Sequence, residues 1–517
     1  MRALLLAVPL LLACAQAASA ADASAAKKIY DQSCAQCHGA ERLGGMGPAL
    51  LPESLERLRR PEALKTIAEG RVATQMPGFK DQLSKEQLEG LLDYLYTPAG
   101  EAPRWEMPEI RASHVVDQAA KRLPNKPVFK ADPLNLFVVV ETGDHHATIL
   151  DGDRFEPIHR FRTRFALHGG PKFSPSGRFV YLASRDGWIT KFDLYHLKTV
   201  AEIRAGLNTR NLAVSDDGKY VLVGNYLPQS LVILDAEGLS PLKAMPVKGE
   251  DGKPSRVSAV YQAAPRSSFV VALKDAPEVW EIPYGGAPKA KAWVHDHGPD
   301  SGEMLVGGPS FKVRRIKLGD ILDDFFFDQA YKHLIGAGRG GKNGQVVDMD
   351  AGKQIATIDL PGMPHLGSGI TWDYQGHPVL ATPNLKEGLI SVIDMASWKT
   401  VKQIKTPGPG FFMRSHEGTP YAWTDVFNGT PKDTLQIIDK RTLEVARTLT
   451  PSPGKVAAHT EFTRDGRYAL VSVWDTDGAL VVYDASTFQE VKRLPMNKPS
   501  GKYNVYNKTT RSAGTSH

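Results

Sequence analysis

A chain of 517 residues with 42% hydrophobic content is too long for one average domain and is expected to bury two cores of unequal size. Its formal charge of +6 is mild and is not gathered into runs of Lys and Arg, which excludes nucleic acid as the expected partner and favours an anionic cofactor or a redox protein. Past the N-terminal stretch nothing approaches the ~20 consecutive apolar residues of a membrane span, so no membrane span is expected in the mature chain.

The first residues run from Met1 and Arg2 through an apolar stretch to Ala13 and finish in Ala18-Ser19-Ala20. This pattern predicts a signal peptide over residues 1–20, cut before Ala21, and hence a periplasmic protein. Leu11-Leu12-Ala13-Cys14 is the rival reading, a lipidation site that leaves Cys14 as the anchored first residue. If cleavage removes Cys14, only Cys34 and Cys37 remain, too few for a disulfide framework and the right number for a heme site.

Cys34-Ala35-Gln36-Cys37-His38 matches C-x-x-C-H, in which two thiols bond to the porphyrin vinyl groups and the adjacent imidazole reaches the iron. The flanking periodicity predicts an amphipathic helix over Ala25–Ser33 and a closing helix over Glu86–Leu95. A small all-α cytochrome c domain over residues 22–97, with one covalent heme c, follows. Gln75-Met76-Pro77-Gly78-Phe79 resembles the M-P-x-F loop that supplies the sixth ligand in class I cytochromes c, so Met76 is preferred to Met46, which sits in Gly45-Met46-Gly47-Pro48 close to the heme-binding segment.

Residues 98–117 are rich in Pro, Glu and Arg and read as a linker. Beyond them, pairs of short Val/Ile/Leu/aromatic strands recur, each ending at an Asp that starts a turn: Phe137–Asp151, Phe179–Asp193, Tyr220–Asp235, Leu334–Asp348, Val379–Asp394, Tyr421–Asp439 and Tyr468–Asp484, with Phe269–Ile282 a degenerate fourth in chain order. About eight units of roughly 45 residues suit four antiparallel strands each, stacked radially. Residues 118–517 are therefore expected to form an all-β eight-bladed propeller with ligand-binding loops around its central cavity.

A cytochrome c joined to such a propeller resembles the cytochrome cd1 family. Phe165-Ala166-Leu167-His168-Gly169-Gly170, with Ser174–Arg178 and Ser184-Arg185-Asp186, resembles the region that carries the proximal His of heme d1. Pro364–Gly369 is similar to the segment holding a distal-side His, and Val471–Trp474 with Gly501–Asn507 to the last blade and its closure. One departure is informative: Leu322–Asp328 aligns with the segment that carries another distal His in the family's nitrite reductases, and Asp323 stands at its position. Ala458-His459-Thr460-Glu461-Phe462 instead puts a different His into a loop of the last blade.

These departures resemble the family's biosynthetic branch, whose members dehydrogenate a propionate of dihydro-heme d1 to the acrylate of mature heme d1 and pass the electrons to heme c. The resemblance implies His168 as iron ligand of the bound tetrapyrrole and His365 and His459 as an acid/base pair. Arg162, Arg164, Arg185 and Arg210, in loops of the early blades, are expected to clamp its carboxylates. Trp474 and Tyr503 either stack on the macrocycle or fill the core between blades. His114 is a candidate sixth ligand reaching from the linker, and His145-His146 are expected to face solvent. Implied partners are the heme d1 precursor as substrate, a nitrite reductase met transiently, and a periplasmic electron acceptor. A nitrite reductase, or a carrier that delivers heme d1 without changing it, are the alternatives.

Overall fold

The computed structural model describes residues 23–510, apart from Met46 and residues 56–57, 71–75, 99, 101–102, 286–310 and 339–342. The segment expected to be a signal peptide, with Cys14, and Met46 lie outside the described residues. A helix over residues 23–33 leads into Cys34, and helices Arg60–Glu69 and Lys85–Tyr96 close the first domain around it. In the last of these, Leu88, Leu91, Leu92 and Leu95 fall at i, i+3, i+4 and i+7, so they share one face and pack on Tyr30, Ile67 and Phe79. Ser84 and Gln87 cap its N-terminus reciprocally. At the other end the Arg42 guanidinium donates to the carbonyls of Tyr94, Leu95 and Thr97 at 2.7, 3.3 and 3.1 Å, which satisfies acceptors the helix leaves unpaired.

The rest is a closed ring of eight antiparallel sheets, numbered here as blades in chain order. The hairpins expected from the sequence are the two middle strands of every blade, from Leu136–Glu141 with His146–Asp151 in blade 1 to Tyr468–Val473 with Gly478–Asp484 in blade 8. The degenerate copy is blade 4, Ser268–Leu273 with Glu278–Pro283. These strands are continuous apolar runs because each blade buries both faces against its neighbours. Each junction between blades holds its own apolar cluster: Ile189 and Ile203 meet Val221 and Val223 between blades 2 and 3, and Phe137 and Val139 meet Leu470 and Leu480 between blades 1 and 8. Each such side chain contributes about 1.5–3 kcal/mol on burial. The C-terminal strand Pro499–Asn504 pairs with the first strand of blade 1, Phe137 opposite Asn504 and Val139 opposite Lys502, and so seals the ring.

Two expectations are corrected. The segment read as a linker over 98–117 is folded onto the propeller in its second half. The Trp105 indole donates to the Arg204 carbonyl (2.8 Å), helix Met107–Ala112 buries Ile110 between blades 2 and 3, and Val115–Val116 adds a fifth strand to blade 2. His114 in that segment hydrogen-bonds through Nε2 to the carbonyl of Gly238 (2.7 Å), a turn of blade 3, and lines neither ligand cavity, so it does not reach an iron as a sixth ligand. Glu-rich composition hid an amphipathic turn whose apolar member is a single residue.

The recurring Asp has a local physical role. Asp484 accepts the backbone N–H groups of Ser486 and Thr487 (3.0 and 2.9 Å), and Asp394 accepts those of Ala396 and Ser397 in the same way. Hydrogen bonds from Ser486 and Thr487 hold the Asp484 carboxyl down at about 2, against an ordinary 3.8. Asp348, Asp394 and Asp439 are also held below that value. A carboxyl whose pKa is depressed on folding contributes stability that is complete above its unfolded value and lost as pH falls toward the folded one. The urea midpoint is therefore expected to drop between about pH 4 and pH 2, and Asp484→Asn is expected to lower it near neutrality while flattening this acid slope.

Candidate functional site

Cys34, Cys37 and His38 sit at one wall of a cavity of about 460 Å³ that Met76, Pro77, Phe79, Leu91 and Leu95 continue. His38 is buried, and its Nδ1 donates to the Pro48 carbonyl at 2.8 Å, which fixes the tautomer and leaves Nε2 as the acceptor. Gly47 lies against the ring: a Cβ there would stand 2.7 Å from His38 Cε1, so the Gly-Pro turn shapes the proximal side as its composition suggests. Two thiols, an imidazole with a free Nε2 and a thioether in an apolar cavity are the donor set of a covalent heme c, and the residues present fit that group.

One side of that cavity belongs to the propeller. His145, Arg162, Phe165, Arg185, Leu207 and Tyr226 line it, while Leu51 of the first domain packs on Leu207 and Leu227. The Arg204 guanidinium, 4.8 Å from the Trp105 ring, also donates to the Leu43 carbonyl across the domain boundary.

A second cavity, of about 440 Å³, opens at the centre of the ring and is lined by His168, Arg210, Asp323, His365, His459, Trp474 and Tyr503 among apolar neighbours. It falls within the roughly 300–1,000 Å³ usual for cofactor and ligand sites. Gly169 and Gly170 follow His168 with φ of +79° and +68°, a turn that side chains rarely tolerate; a Cβ on Gly169 would also collide with Asn211. His168 Nδ1 meets the Arg210 carbonyl at 2.7 Å and must donate to it, so Nε2 carries the lone pair. In the structure that nitrogen accepts from Arg185 (2.8 Å), whose side chain also lines the heme c cavity.

His459 stands at a bulge and not in a loop as expected. Ala458 pairs with Ser472 and Glu461 with Leu470, so two residues oppose one and the extra residue turns inward with φ +50°. Its backbone is satisfied by neighbours: Asp425 accepts its N–H (3.3 Å) and Lys502 donates to its carbonyl. Both ring nitrogens are buried without a partner among the described residues, and burial, reinforced by the charges of Lys502 and Arg414, holds the imidazole well below 6.5 and neutral. His365 is buried beside Phe411, donates from Nδ1 to that residue's carbonyl (2.6 Å), and keeps Nε2 3.8 Å from Asp324 Oδ2. Burial lowers its pKa too, against the opposing charge of Asp324.

The four arginines expected to act together are divided by the structure. Arg210 lines the central cavity, Arg185 reaches His168 from the heme c side, Arg162 lines the heme c cavity, and Arg164 is paired with Glu202 (2.5 Å) and stacked on Trp188. Arg164 thus lies in neither cavity. Trp474 and Tyr503 both face the central cavity, Trp474 with its indole N–H on Thr142. Asp323 is also on the wall, ion-paired to Lys274 at 3.0 Å. His145 is half-buried between blade 1 and the heme c cavity, contrary to the expectation of a solvent-facing side chain. Sequence reasoning missed Asp425 and Lys502; the only signal was an Asp at the end of Tyr421–Asp425 and a Lys that is fully buried within the closing strand Pro499–Asn504.

The cytochrome D1 heme domain family model matches residues 131–302 and 303–508. The chain belongs to the cytochrome D1 heme domain family. Residues 21–95 match the model described as cytochrome c oxidase, cbb3-type, subunit III. Within the D1 heme domain family, the chain is 58% identical to a dihydro-heme d1 dehydrogenase of Pseudomonas aeruginosa, over 95% of each chain. It is 26% identical to a nitrite reductase of Stutzerimonas stutzeri, over 96% of this chain and 95% of that one. A solved structure described as dihydro-heme d1 dehydrogenase NirN in complex with DHE superposes with a TM-score of 0.88 at 58% identity, covering 94% of this chain and all of that one. The D1 heme domain architecture of a propeller with an appended cytochrome is thus present throughout, and no described helix is long and apolar enough to cross a membrane.

Gly47→Val places its side chain on the His38 ring. Less covalently attached, low-spin heme c per chain is expected, measured as the pyridine hemochrome absorbance of purified protein.

Proposed function

We propose that this protein is a periplasmic dihydro-heme d1 dehydrogenase that converts a propionate side chain of the heme d1 precursor to an acrylate, the last step of heme d1 biosynthesis. The observation that carries the reading is the central cavity itself: an imidazole with a fixed tautomer at its floor, His168, and two buried imidazoles, His365 and His459, on its walls. The 58% relative named for this activity over nearly the whole chain supports it.

The reaction breaks one C–H bond at each of two adjacent carbons, forms the C=C bond between them, and yields two protons and two electrons. His168 Nε2 is the nitrogen that would hold the substrate iron, since Nδ1 is committed to Arg210. His459 is neutral and unpartnered, so it accepts one proton with no prior ionisation and no competing hydrogen bond. His365 accepts the other at Nε2, where the Asp324 carboxylate steadies the resulting imidazolium. Arg185 spans the wall between the two cavities and Arg210 holds His168 upright. When bound, heme c supplies a one-electron acceptor, through which the pair leaves in two transfers to a periplasmic electron acceptor. The mature heme d1 then passes to a nitrite reductase by transient contact.

Purified protein mixed with dihydro-heme d1 and an oxidant is expected to return a product lighter by two hydrogens. His365→Ala with His459→Ala is expected to slow this by about 10²–10⁴-fold while the macrocycle still perturbs its own spectrum on binding. A macrocycle bound and returned unchanged in mass would establish the carrier reading, and rapid nitrite turnover the reductase one.

The pH profile follows from the two imidazoles. A base works only while unprotonated, and both are held below 6.5 by burial, so the acid limb of the rate is expected below 6.5. A limb at or above that value would remove them from the role.

A further inference from the structure

Beneath the floor of the central cavity the innermost strands of blades 2 and 7 and the C-terminal helix bring three cations together. Lys172 comes from Lys172–Phe173, Arg414 from Met413–Ser415 and Lys508 from Val505–Thr510. We propose that Lys172, Arg414 and Lys508 form an oxyanion site that takes a carboxylate or a small inorganic oxyanion, immediately below the wall formed by Gly169, Gly170 and Tyr503.

The connection to the cavity is geometric. Lys172 Nζ donates to the Gly169 carbonyl at 2.8 Å, and Lys508 Nζ stands 5.5 Å from the centre of the Tyr503 ring, which faces His459 at 5.0 Å on its other contacts. Arg414 is 7% exposed, and its Nη2 is buried with no hydrogen-bond partner among the described residues. A buried guanidinium with an unspent N–H group is destabilising unless an acceptor is supplied, and the two oxygens of an oxyanion match its fork.

The protein's own carboxylates do not meet this need. The Glu461 charge acts on Arg414 and Lys508, yet its Oε1 already accepts from Phe462 N (2.9 Å) and Asn507 Nδ2 (3.2 Å). Asp324, which acts on Lys172, is engaged by the Tyr261 hydroxyl, Phe325 N and Gly367 N. Lys502 is nearby but spent, on the carbonyls of Ala458 and His459 and on Ser472 Oγ. Burial and the charges of Arg414 and Arg210 push Lys172 down to about 7, and Lys508 is likewise depressed by burial and Arg414, with the opposing charges of Asp324 and Glu461 offsetting only part of this. An arriving anion would relieve both.

Two sources share this chemistry: a side-chain carboxylate of the tetrapyrrole, which rests on the dehydrogenase reading above, and free sulfate or phosphate, which does not. Full-length holo-cytochrome is titrated with sulfate at constant ionic strength, then with dihydro-heme d1 with and without sulfate. Sulfate is expected to raise the melting temperature of the parent protein, and this shift is expected to vanish in Arg414→Gln and in Lys508→Met. Both variants are checked for fold by heme c absorbance and cooperative melting, and Lys508→Met decides alone if Arg414→Gln does not fold. If sulfate weakens tetrapyrrole binding, and Arg414→Gln weakens it by about ten-fold with sulfate absent, the occupant is a substrate carboxylate. If the two bind independently, it is a free oxyanion. No sulfate shift in the parent protein together with unchanged tetrapyrrole affinity in both variants overturns the site. Failure of the parent protein to bind tetrapyrrole at all would sink the dehydrogenase reading and leave the sulfate arm to decide the oxyanion site.

Discussion

The pairing of Pro499–Asn504 with the first strand of blade 1 is the constraint on which the rest depends. Eight sheets that bury both faces have no stable outer members unless the first and last meet, and backbone hydrogen bonds between residues more than 350 positions apart supply that meeting. The same strand delivers Lys502 and Tyr503 to the centre. Lys502 then holds the carbonyl of His459, so closing the ring and aiming an imidazole at the cavity are one event.

The site is built largely from irregularities in otherwise regular sheets. His168 precedes two glycines with positive φ, His365 stands at the start of a short turn, Leu366–Ser368, and His459 occupies a bulge. Regular strands alternate their side chains and pack them between blades, where an imidazole has nothing to do. Each departure rotates one side chain out of that pattern and into the axis, and each is stabilised by a hydrogen bond to an acceptor elsewhere: His168 donates to the Arg210 carbonyl, His365 to the Phe411 carbonyl, and the His459 backbone N–H to Asp425.

What was legible in the sequence follows from the same physics. The middle strands of each blade were readable because burial on two faces demands unbroken apolar runs, and the Asp that ends them was readable because its turn needs a side-chain acceptor. The outer strands were not: Glu444–Leu449 is exposed along most of its length and carries no pattern beyond charge. C-x-x-C-H was legible because covalent chemistry fixes its spacing. The partition of the arginines was not, since Arg162, Arg164, Arg185 and Arg210 occupy similar loops and only the docking of the first domain decides which cavity each one meets. His145 escaped for the same reason, for its neighbours come from Phe165 of the next loop and from a domain that ends before residue 100.

The shared wall of the heme c cavity bears on how the redox centre behaves. With Leu207, Tyr226 and Phe165 supplying part of the lining, a cytochrome fragment cut free at the Pro-rich segment would have one flank of its porphyrin bathed in water. Solvent access is among the levers that set a heme's reduction potential. A voltammogram of the isolated fragment therefore describes a different electrical environment from the one in which the whole molecule accepts electrons.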